Sequence, residues 1–193
     1  MSRENRMFDV MMKAAKERLS DRDPAAIVKN AKVEFSDGSF RFQSLGMSVT
    51  VSYPAWEITP ELPGWHALVI LHYLDLADGM PLTGKTITFA QQKDGMVRGG
   101  GFDRKAESTI SKLDFDALKT RCAALGGVEK KSNADYCVEL PFLPMYPVTL
   151  NYWLADEDFL ASGRLLLDSN AEHYLTIEDS VTVGEVILGE LVS

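Results

Sequence analysis

The sequence predicts an α+β fold: a single domain with a mixed or mainly antiparallel sheet of about six strands and helices packed on it. Three observations lead there. Strand-like segments come in consecutive runs instead of alternating one for one with helices. Turn sequences such as Ser36-Asp37-Gly38-Ser39 join short alternating segments, as hairpins require. One segment, residues 65–77, is apolar on nearly all sides, the mark of a helix enclosed by the rest of the chain. No composition shift marks a linker, and 193 residues suit one domain.

The elements follow in order. Residues 3–19 read as an amphipathic helix, with Met7, Met11, Ala14 and Ala15 near one face and Arg3, Arg6, Asp9, Lys13 and Lys16 pointing away. Pro24 ends the loop behind it. Strand signals start over 27–35, where Val33 and Phe35 alternate. They continue through Phe40 and Phe42 to Val49, Val51 and Tyr53, a meander of about three strands. Pro54 and Pro60 flank an irregular stretch. Pro63-Gly64 then opens the central helix, and Asp78-Gly79 closes it.

After the turn at 81–84, residues 85–89 form a short strand with Ile87 and Phe89 on one face. Gly99-Gly100-Gly101 reads as a flexible loop. Helices follow over 104–113 and 114–125, the second ended by Gly126-Gly127. Residues 135–143 and 146–155 are strands joined at Pro144. Asp156-Glu157-Asp158 makes a turn, and Leu165 and Leu167 lie in a further strand. Thr176 caps the last helix, with Asp179 at the capping-box position and Val183, Val186, Ile187 and Leu191 as its buried stripe.

Charge and cysteine usage narrow the function classes. Net charge is −8, with 20 basic residues scattered among 28 acidic ones. Nucleic acid and anionic membrane surfaces need a basic face, so neither is an expected partner. Two cysteines, Cys122 and Cys137, with no Cys-x-x-Cys, exclude a disulfide framework, a cysteine-only zinc site and a four-cysteine cluster. No apolar h-region follows the first residues, and the apolar run at 68–76 is too short to span a bilayer. A soluble cytoplasmic chain is expected.

Few residues invite chemistry. On a helical wheel His72 sits amid Trp65, Leu68, Val69 and Leu76, where an imidazole needs a hydrogen-bond partner or a ligand. A core histidine bonded to a carbonyl or carboxylate meets that need as well as a binding residue does. His173 lies at a strand-to-helix junction, followed by Tyr174, Glu178 and Asp179. The two carboxylates are accounted for by capping and the helix dipole. A loop histidine beside a helix start is also well placed to face a cleft as a metal or cofactor ligand. The glycine run lacks the order of a dinucleotide fingerprint and the Gly-Lys-Ser/Thr of a phosphate loop. The acidic turn at 156–158 lacks calcium-loop spacing. There is no Gly-x-Ser-x-Gly, and both cysteines fall in packing patterns. The tripeptide His-Tyr-Leu occurs twice.

Two segments carry a resemblance. One is Leu71-His72-Tyr73-Leu74 with Ala77-Asp78-Gly79-Met80-Pro81-Leu82-Thr83-Gly84 and Ile87-Thr88-Phe89. The other runs from Trp153-Leu154-Ala155-Asp156-Glu157-Asp158-Phe159 through Ala161-Ser162-Gly163 and Asp168 to His173-Tyr174-Leu175, Glu178-Asp179 and Gly184-Glu185. Together they resemble the bacterial and archaeal family known as domain of unknown function 3786, over the middle and C-terminal thirds of the chain. That resemblance implies an anaerobe's protein, in a family some of whose members carry an N-terminal four-cysteine module similar to that of corrinoid iron–sulphur proteins. Residues 1–23 hold no cysteine, so cluster chemistry does not carry over.

The association points to a tetrapyrrole, cobalamin (a corrinoid) or haem, which needs an imidazole-type axial donor and a wide apolar slot. The expected function is non-catalytic ligand binding. His173 is the axial and metal donor, His72 the second choice, and Tyr174, Tyr73 and Trp153 the flat walls. Two alternatives stand beside it. One is an accessory or scaffold protein with structural histidines, acting through a homodimer or partner interface. The other is a small hydrolase or transferase using His173 with Glu178 or Asp179 as a base pair.

Overall fold

In the computed structural model, which describes residues 3–193, the chain opens with helices α1 (Arg3–Ser20) and α2 (Pro24–Ala31). Met1 and Ser2 lie outside the described residues. Helix α2 occupies the start of the expected 27–35 strand. Asp23 accepts a hydrogen bond from the Ala25 N–H and Pro24 takes the first helical position, a start signal that outweighs the loose alternation downstream. Ile27 and Ala31, four residues apart, bury one face, and Lys32 ends the helix in the left-handed conformation.

A first antiparallel sheet follows, ordered β1 (Glu34–Ser36), β2 (Ser39–Ser44), β3 (Met47–Ser52) and β4 (Ile58–Thr59). Phe40 pairs with Val51 and Phe42 with Val49, so the alternating apolar residues share one buried face. Phe40 stacks on Trp56 at 5.7 Å between ring centroids.

Helix α3 (Gly64–Leu76) is the central helix, buried from His66 to Leu71 and from Tyr73 to Asp75. Its two ends emerge: Trp65 is 52% exposed and Leu76 40%. Helix α1 and the loop behind it dock on it through Arg18 and Arg22, whose Nε atoms each donate to the buried Asp75 carboxylate at 2.8 Å. A buried carboxylate persists only when paired, and two guanidiniums meet that condition.

The second sheet is also antiparallel. Its order is β5 (Thr86–Ile87), β9 (Ser162–Asp168), β8 (Tyr146–Trp153), β7 (Tyr136–Leu143) and β6 (Val128–Glu129). Helices α4 (Arg98–Ile110), α5 (Phe115–Ala124) and α6 (Ile177–Val192) complete the chain, with α4 packed on β9 and α6. The glycine run belongs to the first turn of α4 and not to a loop. A Cβ on Gly99 would stand 2.2 Å from the Phe89 carbonyl oxygen, so glycine here serves close backbone approach. Gly184 does the same for the crossing of α6 over the Phe102 ring of α4.

The α+β class with antiparallel pairing therefore holds, but the nine strands among the described residues divide between two sheets instead of forming one of about six. The two-residue strands β4, β5 and β6 are too short to display alternation. The sheets meet where the β2–β3 turn approaches β7. The Leu45 N–H donates to the Pro141 carbonyl at 2.9 Å, and Ser44 Oγ donates to the Phe142 carbonyl at 2.7 Å. One contiguous apolar core runs through both sheets and α3. No helix among the described residues is long and apolar enough to cross a membrane.

Candidate functional site

The three histidines occupy three different environments. His66, which nothing in the wheel singled out, is the core histidine, 2% exposed. Its Nε2 meets Ser44 Oγ at 2.8 Å, and its ring lies 5.0 Å from that of Phe142. Because Ser44 gives its own proton to the Phe142 carbonyl, the imidazole is the donor to the hydroxyl oxygen. Burial pushes its pKa down to about 4. Helix α3 is apolar all round, so a wheel has no phase by which to rank its histidines.

His72 was expected within the apolar stripe. It sits instead at the stripe's edge, its side chain 15% exposed, with Nδ1 2.7 Å from Asp179 Oδ1. The Thr176 hydroxyl donates to the other Asp179 oxygen at 2.8 Å and accepts from the Asp179 N–H at 3.3 Å. The expected cap of the last helix is thus present, and it is extended by an imidazole.

His173 stands on a short 3₁₀ turn, Ala171–His173, just before α6. Its Nδ1 is 2.7 Å from Asp78 Oδ2, and its carbonyl accepts from the Asp78 N–H at 3.3 Å. Asp78 follows the end of α3, so the exit of the central helix and the entry of the last one are tied at this point. Slight burial raises the Asp78 pKa. The hydrogen bond from His173, the Met80 N–H and the imidazole charge outweigh it and hold the carboxyl below its ordinary value.

The pair lines a cleft of about 490 Å³. Lys93, Asp94, Glu172 and Glu178 supply its other charges, and Leu76, Leu175 and Ile177 its apolar backing. With Nδ1 engaged by a carboxylate, Nε2 is the ring nitrogen left to act, as donor to a metal or as hydrogen-bond acceptor in the neutral form.

The remaining expected site residues do not join His173 in this cleft. Tyr73 and Tyr174 stack on each other in the core, centroids 5.6 Å apart. The Tyr73 hydroxyl donates to the Ala31 carbonyl at 2.6 Å, and that of Tyr174 to the Met80 carbonyl at 2.5 Å. Trp153 lies on β8 with the Arg164 guanidinium 5.8 Å from its ring centre. The base pair expected between His173 and Glu178 or Asp179 is corrected as well. The partner is Asp78, while Asp179 belongs to His72 and Glu178 faces Arg98 at 3.4 Å. Among the described residues, no three His, Cys, Asp or Glu side chains are grouped so as to hold a metal ion. Cys122 and Cys137 are buried, and burial pushes the Cys122 thiol up to about 11.

Sequence reasoning missed Asp78 as a site residue, although it lies inside a motif segment. The signal was its place two residues beyond the last helical residue, in the Asp78-Gly79 pair that closes the central helix. No curated protein and no solved structure matches the chain. Residues 23–190 match the family described as Domain of unknown function (DUF3786), a longer stretch than the two segments that carried the resemblance, and the chain belongs to that family.

Proposed function

We propose that the protein is a non-catalytic ligand-binding protein whose site is the His173 cleft. One observation carries the reading: the Asp78 carboxylate holds Nδ1 of His173, a residue lining a cleft of about 490 Å³, and Nε2 has no hydrogen-bond partner among the described residues. Carboxylate–imidazole pairs of this kind fix the tautomer and raise the basicity of the donor nitrogen. The ligand is one that offers a metal centre or an N–H group to a single imidazole.

A tetrapyrrole meets these residues halfway. Its metal brings four ligands of its own, so a lone oriented histidine suits it better than a free metal ion. Its ring needs a flat apolar slot, and the aromatic residues Tyr73, Tyr174 and Trp153 are absent from the cleft lining. Four carboxylates, those of Asp78, Asp94, Glu172 and Glu178, stand there with one lysine. The residues fit the metal and not the ring, and the acidic lining favours a smaller cationic donor.

Two titrations test the reading. Absorbance is followed on adding haem or hydroxocobalamin. The methyl signal of methylammonium chloride is followed by NMR on adding the protein. A response in either that disappears in His173→Ala supports the proposal, and a haem or cobalamin band shift restores the tetrapyrrole. Silence in both overturns it in favour of the accessory protein acting through a homodimer or partner surface.

A further inference from the structure

The repeated tripeptide is part of a longer repeat. Residues 72–78 read His-Tyr-Leu-Asp-Leu-Ala-Asp, and residues 173–179 read His-Tyr-Leu-Thr-Ile-Glu-Asp. Each copy begins with His-Tyr-Leu and places an aspartate six residues after its histidine. The fold brings the copies together head to tail. His72 of the first bonds Asp179 of the second, and His173 of the second bonds Asp78 of the first, both at 2.7 Å through Nδ1. Between the two pairs the equivalent tyrosines, Tyr73 and Tyr174, stack at an interplanar angle of 22°.

We infer that the two copies form a self-complementary clasp, and that its inner half, His72 and Asp179, positions the outer half, Asp78 and His173, at the cleft.

The connection between the halves is continuous. Asp179 holds Thr176, which lines the cleft three residues beyond His173. Tyr174 and Asp78 both grip Met80, the tyrosine through the Met80 carbonyl and the carboxylate through the Met80 N–H at 3.0 Å. Gln92, whose amide donates to the Leu175 carbonyl at 3.0 Å, pins the segment between Tyr174 and Thr176. Four charge-bearing side chains at the two ends thus share one stacked core, and moving one end shifts the backbone that carries the other. The local structures differ: the first copy is the C-terminal end of α3 and the two residues beyond it, the second a 3₁₀ turn leading into α6. Their likeness therefore lies in what their side chains meet and not in a repeated fold.

The functional half of this inference rests on the cleft being the binding site; the clasp itself does not. The experiment follows the His173 ring by NMR across pH in the wild-type chain and in Asp78→Asn, Asp179→Asn and His72→Gln. The titrating and charged groups facing His173 are Asp78 from the α3 exit, Glu172 on its own turn, Glu178 on α6, and Lys93 and Asp94 from the loop before α4. His72 faces Asp179. Asp78→Asn moves the His173 midpoint directly. His72→Gln and Asp179→Asn, which do not touch His173, are expected to move it by about half a pH unit, roughly a threefold change in proton affinity. Thr176→Ala, a milder change, supplies the same reading if Asp179→Asn does not fold. A His173 midpoint unmoved in both His72→Gln and Thr176→Ala overturns the clasp.

The two proposals fail separately. Ligand titrations silent in the wild type, with a shifted His173 midpoint in the variants, remove the binding function and keep the clasp. Binding with an unmoved midpoint does the reverse.

Discussion

The seam between the two sheets and the cleft at the α6 entry each hold one histidine, and the two are built on opposite principles. At the seam, His66 meets a hydroxyl and an aromatic ring, and it pairs with no carboxylate among the described residues. Its charged form is penalised by burial alone. At the cleft, His173 is 31% exposed and meets a carboxylate, so either protonation state keeps a partner. One residue type serves as neutral core filler in one place and as an oriented donor in the other. Burial without counter-charge makes the first, and a counter-charge with solvent access makes the second.

Acidification separates the two most strongly. The folded pKa of His66 lies near 4 against 6.5 for the free imidazole, so between those values the unfolded chain binds the proton and the folded one does not. Stability is therefore full above pH 6.5 and falls as pH drops toward 4, by on the order of 3 kcal/mol. Urea midpoints measured from pH 7 to pH 4 check this, and His66→Leu is expected to flatten the His66 part of that slope.

The next effect is at the same seam. Ser44→Ala takes a partner from both His66 and the Phe142 carbonyl, and is expected to cost about 2 kcal/mol in denaturant unfolding. A loss below half of that would mean the seam tolerates unpaired polar groups and the contrast with the cleft is shallow.

At the α6 entry, Thr176→Ala removes the cap and one of the bonds to Asp179, at a cost of about 1 kcal/mol. An unchanged melting temperature would break the assignment of Thr176 as the helix start.

The smallest stability change is expected at the cleft itself. His173→Ala loses one part-exposed pair and should shift unfolding by less than about 0.5 kcal/mol. Ligand affinity is expected to fall at least about tenfold, the scale on which even a supporting partner of a bound metal matters. A large stability loss with unchanged affinity would make His173 a structural residue like His66.

Local signals carried much of the fold. The alternation over β7, β8 and β9, the Asp37-Gly38 turn, the apolar α3 and the Thr176 cap on the Asp179 N–H each depend on residues within a few positions of one another. The early strand over 27–35 was misplaced even though its correction was also local, in the Asp23-Pro24 start signal. The glycine run was misread for a different reason. Its glycines answer to the Phe89 backbone packed against them, a contact between separate segments.

The site divides the same way. By itself the sequence determined which groups were available: three histidines, the carboxylates near them, the absence of a metal-binding or nucleophile motif, and an α+β chain whose last helix starts at Thr176. Only the tertiary structure decided that His173 takes Asp78, 95 residues away, and not Glu178 or Asp179 close by; that Asp179 takes His72; and that His66 is the one sealed in the core. The physical reason is reach. Side chains on adjacent turns of one segment are held in directions set by the helix, while a carboxylate from another element approaches the imidazole freely once the core places the two backbones side by side.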